Sequence, residues 1–368
     1  MTIFLSTDSE DLTFLRNSIA EILEDTCDSL AVHEFVDGKN DLSSKLRDQA
    51  NKLGWFSIGL PEQLGGFDFG FRGAGLLHNE LGRAVAPGSY IATLAAIDVI
   101  ALHGDAEQQD AWLEAVISGE VKVAIAALAM AEHAVVEEDH FVSTKLKLLG
   151  EADAEIALIP LETGEIGIVD ISGSDRLAMQ VWDRTRTVLE VSLEKAPLLG
   201  KLMTNGRANL SLSRNALMAV AADSIGLGRG IIEKTIAYMK EREQFGRAIG
   251  SFQALKHRAV DMVARIDVAE HVLGNALDVA EAGDAAADMW AALAKVSATQ
   301  AATFVASDCV QIFGGVGFTW EYDVHLYLKR ARMNEMLIGT NDQLLDWAAD
   351  ELAQLTQAGH NVLELSAI

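Results

Sequence analysis

Apolar residues recur at threes and fours, with one five, from Leu217 through Val220, Ile225, Gly228, Ile232, Ile236 and Met239, the spacing of a helix that buries one face. The same period resumes at Phe252, Leu255, Ala259, Met262, Val263 and Ile266. Two antiparallel helices are therefore expected on either side of a corner running from Arg242 to Gln253. A helical pattern also covers Asp8 to Leu53, with Leu12, Ile19, Ile22, Leu23 and Leu30 on one face, and a polar break at Asp37 to Asp41 divides it into two helices. The glycine-rich turn Leu60-Pro61-Glu62-Gln63-Leu64-Gly65-Gly66 leads into a helix carrying Glu80 and Arg83, and Leu94 to Ala115 is again helical.

From about Val121 the texture changes. The runs Val123–Ala126, Ile156–Pro160, Ile166–Val169 and Val188–Leu193 are short, rich in β-branched residues and separated by turn signals. From Ala208 to about Gln357 the chain reads as helix, interrupted at 283–287 and 314–317, which gives at least four helices of bundle length. The expected architecture is mainly α with a small β-domain: an N-terminal helical domain over 1–120, a β-barrel or sandwich over 121–206, and a C-terminal four-helix bundle over 207–368. Residues Ala358 to Ile368 read as a fraying tail.

Composition narrows the function classes. The 368 residues, half of them hydrophobic, suffice for two or three domains with substantial cores. A formal charge of -25 argues against nucleic acid as a partner, because phosphate binding draws on an excess of Lys and Arg. No apolar run reaches the roughly 18 residues of a membrane span, and no basic region precedes an apolar one near Met1, so the expectation is a soluble, cytosolic chain with no membrane partner. Cys27 and Cys309 are too few for a disulfide framework or a zinc site and read as buried thiols, so no metal is expected.

An acidic chain needs a local basic patch to hold an anion. The corner supplies one: Arg242 and Arg247 set two guanidinium forks beside Gly246 and Gly250, with Lys256, His257 and Arg258 just beyond. Ser251 stands where it could cap the second helix, whose first N–H groups favour an anion. The arrangement suits a phosphate; a capped helical hairpin with solvated arginines accounts for the same residues.

Those residues also carry a resemblance. Arg242-Glu243-Gln244-Phe245-Gly246-Arg247 through Gln253, followed by Lys256-His257, resembles a signature of the acyl-CoA dehydrogenase family. Gln311-Ile312-Phe313-Gly314-Gly315-Val316-Gly317-Phe318 resembles a second, in the right order. The proline, glutamate and double glycine at 61–66 resemble the turn of its N-terminal domain. The resemblance covers most of the chain and is weakest between Met130 and Leu199. It implies the family's fold, FAD, an acyl-CoA substrate and an electron-transferring flavoprotein as electron acceptor. It also implies that Arg242, Gln244, Phe245, Gln311, Gly314, Gly315 and Thr340 serve the cofactor, most of them by reaching across a subunit interface to the ADP half of a neighbour's FAD.

The sequence departs from the family where the chemistry is done. Family members take a hydride onto flavin while a carboxylate removes the α-proton of the thioester, a weak acid that demands a base held dry beside a polarised carbonyl. One family position for that base precedes a Gly-Thr pair, and here Ile338 precedes Gly339-Thr340. The other lies on the helix before the corner and is occupied by Ala216, followed by Leu217 where relatives often carry an arginine. The strand expected to offer a Trp beside the flavin ring, near His140 to Gly150, has none, and Trp182-Asp183-Arg184-Thr185-Arg186 resembles a later structural strand. Asp223, two turns along the helix from Ala216 in an apolar stretch, is a substitute base if it is isolated and its pKa raised; pairing with a neighbouring helix is the other reading. Glu335 reads as a solvated helix charge. Ala216, Ala219 and Ala221 either leave room for a large acyl group or pack closely.

Three functions follow. The first is the base-deficient subunit of a heteromeric acyl-CoA dehydrogenase resembling those of bacterial steroid side-chain degradation, completing the FAD site of a homologous catalytic partner. The second is a self-sufficient homotetramer using Asp223. The third is a non-catalytic scaffold of the same fold.

Overall fold

The structure is a computed structural model that describes residues 10–126, 134–137, 139–161, 163–204 and 208–360. Three helices open the described chain: α1 (Glu10–Thr26), α2 (Ser29–Val36) and α3 (Leu42–Lys52). The second break, not legible in the periodicity, falls at Asp28, whose side chain accepts from the Ala31 N–H and caps α2. After the glycine turn come α4 (Gly70–Arg83) and α5 (Tyr90–His103), then two short segments, α6 (Ala106–Gln108) and α7 (Glu114–Ser118), joined by a π-turn, so Leu94 to Ala115 is not one helix.

The β region is a single seven-stranded sheet. It comprises β1 (Val123–Ala126), β2 (Val135–Glu137), β3 (His140–Gly150), β4 (Ile156–Pro160), β5 (Ile166–Asp170), β6 (Asp175–Ala178) and β7 (Val188–Pro197). The order is β5-β4-β1-β3-β7-β6, with β2 paired to β3. Among the described strands only β1 and β4 run parallel; the long pairing of β3 with β7 sets Leu146 opposite Val191 and Leu148 opposite Leu189. The stretch Trp182–Arg186 is not a strand but the loop between β6 and β7.

The C-terminal part is built on α8 (Ala208–Glu241), α9 (Gln253–Glu281), α10 (Ala287–Phe313), α11 (Val324–Asn334) and α12 (Asn341–Gln357). Helix α8 packs against α4, α5, α9, α10 and α11 and is the spine of the molecule. Its contact with α4 is a backbone crossing: a Cβ on Gly82 would meet the Asp223 carbonyl at 2.0 Å, and one on Gly226 would meet the Asn79 carbonyl at 1.8 Å. Ala216, Ala219 and Ala221 are buried in this packing, and the cavity beside Ala219 measures only about 20 Å³. Close packing, not room for a large acyl group, explains the alanines.

The segment Ala287–Phe318 is long and apolar enough to cross a membrane by length and composition, contrary to the sequence expectation, yet 56% of its apolar window is buried inside the protein. It is the helix the bundle is packed around.

Candidate functional site

The corner forms because α8 ends one turn after Tyr238 and the chain reverses through a two-residue hairpin, β8 (Glu243–Gln244) and β9 (Arg247–Ala248). The turn residues Phe245 and Gly246 both lie in the left-handed region, at φ 56° and 76°. Glycine takes that conformation freely; phenylalanine does so at a cost. The hairpin therefore holds Phe245 out at 92% exposure, with its ring edge-on to Phe252. Arg247 lies over the Phe252 ring at 4.1 Å.

Ser251 makes no helix cap. It lies in a 3₁₀ turn, Ile249–Ser251, and Phe252 precedes α9 without a side-chain cap bond. Arg258 is also lost from the basic patch, because Asp308 on α10 takes its guanidinium, with Nε donating at 3.0 Å. Arg242 and Arg247 have no carboxylate partner among the described residues, and with Lys256 they remain the exposed positive charge of the corner, His257 standing exposed beside them.

Aromatic packing brings the second signature to the first. Tyr238, one turn before Arg242, stacks on Phe313 at 4.1 Å and 12°, and Tyr322 closes on both rings edge-on. The last turn of α10, with Gln311 exposed, is thereby fixed to the end of α8. Beyond it the 3₁₀ turn Gly314–Phe318 leaves open space where a Cβ of Gly314 or Gly315 would stand. Two guanidinia without a carboxylate partner, an exposed phenyl ring, an exposed amide and two bare glycines make a surface suited to an anionic ligand.

The positions expected to carry the base are far from free. Ile338 and Ala216 are both buried, and neither lines any of the five principal clefts. Ile338 sits at φ 58°, unusual for a β-branched residue. What holds the turn there is Lys295, a residue the sequence reading missed. Its ammonium donates to the Glu335 carbonyl at 2.9 Å, the Gly339 carbonyl at 2.8 Å and Asn341 Oδ1 at 2.9 Å. Burial pulls its pKa down to about 7. Thr340 caps α12 in a capping box with Gln343, its hydroxyl accepting from the Gln343 N–H at 3.3 Å. Glu335 is not fully solvated: it is half-buried and pairs with Arg332 at 3.1 Å.

Asp223 is not isolated. Arg186 Nη2 stands 2.7 Å from one carboxylate oxygen, Arg330 Nε donates at 3.2 Å, a second Arg330 nitrogen closes on the other oxygen, and Asn334 Nδ2 donates at 2.8 Å. Arg330 Nη1 donates in turn to the Ala86 carbonyl at 2.8 Å and Thr185 Oγ1 at 3.2 Å. Burial alone would raise the pKa, but the two guanidinia and their hydrogen bonds overcome it and hold the carboxyl well below the ordinary carboxylate range. Of the two readings of Asp223, the structure bears out pairing and not a raised pKa. A carboxylate so placed accepts a proton poorly and serves instead to join the α4–α5 link, the β6–β7 loop, α8 and α11.

Burial raises the pKa of two other acids, Glu80 on α4 and Asp98 on α5. Asp98 on α5 borders the small cavity with His78 and Asn215; burial pushes it up to about 7, with Asn215 Nδ2 donating at 3.3 Å. The cavity is too small for a thioester. The signal common to Asp98, Asp223 and Lys295 is a lone charge among apolar residues of a helix, which marks an unseen partner or a desolvated group; Arg330, between Lys329 and Arg332, carries no such signal. Strand β3 carries no Trp, and residues 127–133 lie outside the described residues.

Comparison with known proteins settles the lineage. The acyl-CoA dehydrogenase N-terminal domain matches residues 9–120 and the acyl-CoA dehydrogenase C-terminal domain matches 207–353. The chain belongs to the acyl-CoA dehydrogenase family. It is 27% identical to acyl-CoA dehydrogenase IpdE2 of Mycolicibacterium smegmatis over 90% of this chain and 95% of that protein. The Tcur3481-Tcur3483 steroid ACAD superposes with a TM-score of 0.85 at 25% identity, covering 95% of this chain and 99% of that one. The ChsE4-ChsE5 complex from Mycobacterium tuberculosis shares the fold, with a TM-score of 0.83 at 24% identity over 95% and 98%. Family membership makes the reaction class an oxidation at a CH–CH bond and the cofactor FAD.

Proposed function

We propose that this chain is the base-deficient subunit of a heteromeric acyl-CoA dehydrogenase and completes the FAD site of a homologous catalytic partner. What supports the reading is that Ile338 and Ala216, at the positions the family resemblance gives to the base, are buried and apolar, while Asp223, the substitute, is held by Arg186 and Arg330. The chain thus lacks a group to take the α-proton, yet presents Arg242, Gln244, Phe245, Gln311, Gly314 and Gly315 on its surface. Bound FAD supplies hydride acceptance. This chain's own part is to grip its phosphates with Arg242, to cover its adenine with Phe245, and to let the ligand approach the bare backbone at Gly314–Gly315. Thr340 belongs to the same set through the N-terminus of α12.

The substrate in this reading is a bulky acyl-CoA, with a steroid side-chain ester supported by the steroid ACAD relative, and the electrons pass to an electron-transferring flavoprotein. The homotetramer using Asp223 has lost its support. Co-expression with a homologous acyl-CoA dehydrogenase subunit tests the proposal. The pair is expected to co-purify with FAD and turnover, and Arg242→Ala to lower bound FAD at least tenfold without separating the subunits. Full flavin and turnover in this chain alone would refute it; a co-purified pair without flavin would make it a scaffold.

A further inference from the structure

A cleft of about 950 Å³ opens between the β6–β7 loop and α11, within the size range of small-molecule sites. Arg184, Arg186, Lys329 and Arg332 line it, and no carboxylate does. In a chain of net charge -25 that is a local excess of the opposite sign. Two of the four charges are answered, Arg186 by Asp223 at 2.7 Å and Arg332 by Glu335 at 3.1 Å. The other two make no ion-pair contact among the described residues: Arg184 donates to the Val36 carbonyl at 3.3 Å and faces Asp37 only at longer range, and Lys329 lies over the Trp320 ring at 5.3 Å with Asp183 as a more distant counter-charge. Burial and then repulsion from Arg184 hold the Lys329 pKa below its ordinary value.

Two further features point to a ligand. His325, in the cleft wall, is buried with both ring nitrogens lacking a partner, and Trp320 and His33 pack on it edge-on at 4.8 and 5.7 Å. Trp182 and Phe318 border the same cleft with 75% and 68% of their surface free, flat apolar faces that nothing covers. A bare phosphate would leave those rings wet, and a single carboxylate would answer one cation and leave the other. A phosphate chain carrying a planar base answers all of them: guanidinium and ammonium take the phosphate oxygens, and the ring stacks on an aromatic face.

We propose that this cleft is a nucleotide site, taking a nucleoside diphosphate with its phosphates at Arg184 and Lys329 and its base against Trp182. None of Arg242, Gln244, Phe245, Gln311, Gly314 and Gly315 lines it; Phe318, the last residue of the second signature, stands at its edge.

Calorimetric titration of ADP into the full-length chain tests it. Binding is expected, at least tenfold tighter than that of inorganic phosphate or adenosine, and at least tenfold weakened by Lys329→Ala and by Trp182→Ala. Neither side chain is fully buried, and a thermal melt matching the parent shows that each variant folds. Absence of ADP binding overturns the proposal, as does equal affinity for phosphate. Loss of binding in Arg242→Ala with retention in Lys329→Ala also overturns it, by assigning the nucleotide to the corner.

Discussion

Asp223 is buried between two guanidinium groups, and its charge answers them rather than a substrate. Asp223→Asn leaves Arg186 and Arg330 facing a neutral amide in a dry setting, so a loss of about 3–5 kcal/mol in unfolding free energy is expected from urea titration. A variant as stable as the parent would mean that the carboxylate is free for other work. Because the folded pKa lies below the unfolded value of about 3.9, the stabilisation is present above that pH and is lost as pH falls toward the folded value. Asp98 acts in the opposite sense. Its folded pKa near 7 means that the native protein keeps a proton the unfolded chain has released, so this contribution is present below about pH 4 and is lost as pH rises to 7. Asp98→Asn should remove that decline in a series of melts between pH 4 and 7; an unchanged slope would place the titration elsewhere. The sequence exposes both acids as lone charges in apolar helices, but not their opposite fates. The answer to Asp223 arrives from Arg186 and Arg330, in a loop and a helix distant along the chain, and periodicity carries no information about such pairings.

Helix α8 joins the corner to the core, and its crossing with α4 rests on glycine. Gly226→Ala would set a methyl group 1.8 Å from the Asn79 carbonyl, so the helices must separate; overpacking of this kind costs about 1–3 kcal/mol or more. A lowered melting temperature is the expected reading, and an unchanged one would show that the crossing yields. At the other end of the site, Thr340→Ala removes the capping-box acceptor of α12 and should cost about 1 kcal/mol in urea titration, whereas a loss of flavin without loss of stability would assign the hydroxyl to the cofactor alone. The helices and the hairpin corner were legible because their causes are local: a 3.6-residue period and a glycine at the turn. The loop at Trp182–Arg186 was not: the strand implied by the resemblance is replaced by a tight turn at Asp183, whose carboxylate accepts from the Thr185 N–H at 2.9 Å. Ser251 was misread for a related reason: the chain makes a 3₁₀ turn before α9, which moves the helix start past the residue suited to cap it.

On the scale of the whole molecule, the chain has a core arranged around α8 and α10, a sheet beside it, and an exposed cationic corner, while Ile338 and Ala216 are buried. Two signatures far apart in sequence meet through Tyr238 and Phe313 and face outward. That outward orientation makes a second subunit part of the account rather than an addition to it. The most direct measurement is the flavin content and acyl-CoA-dependent dye reduction of the purified chain alone against the same chain co-purified with a homologous subunit. The account predicts little flavin and no turnover alone, and stoichiometric FAD with turnover in the pair. Stoichiometric FAD with full turnover in the chain by itself would contradict it.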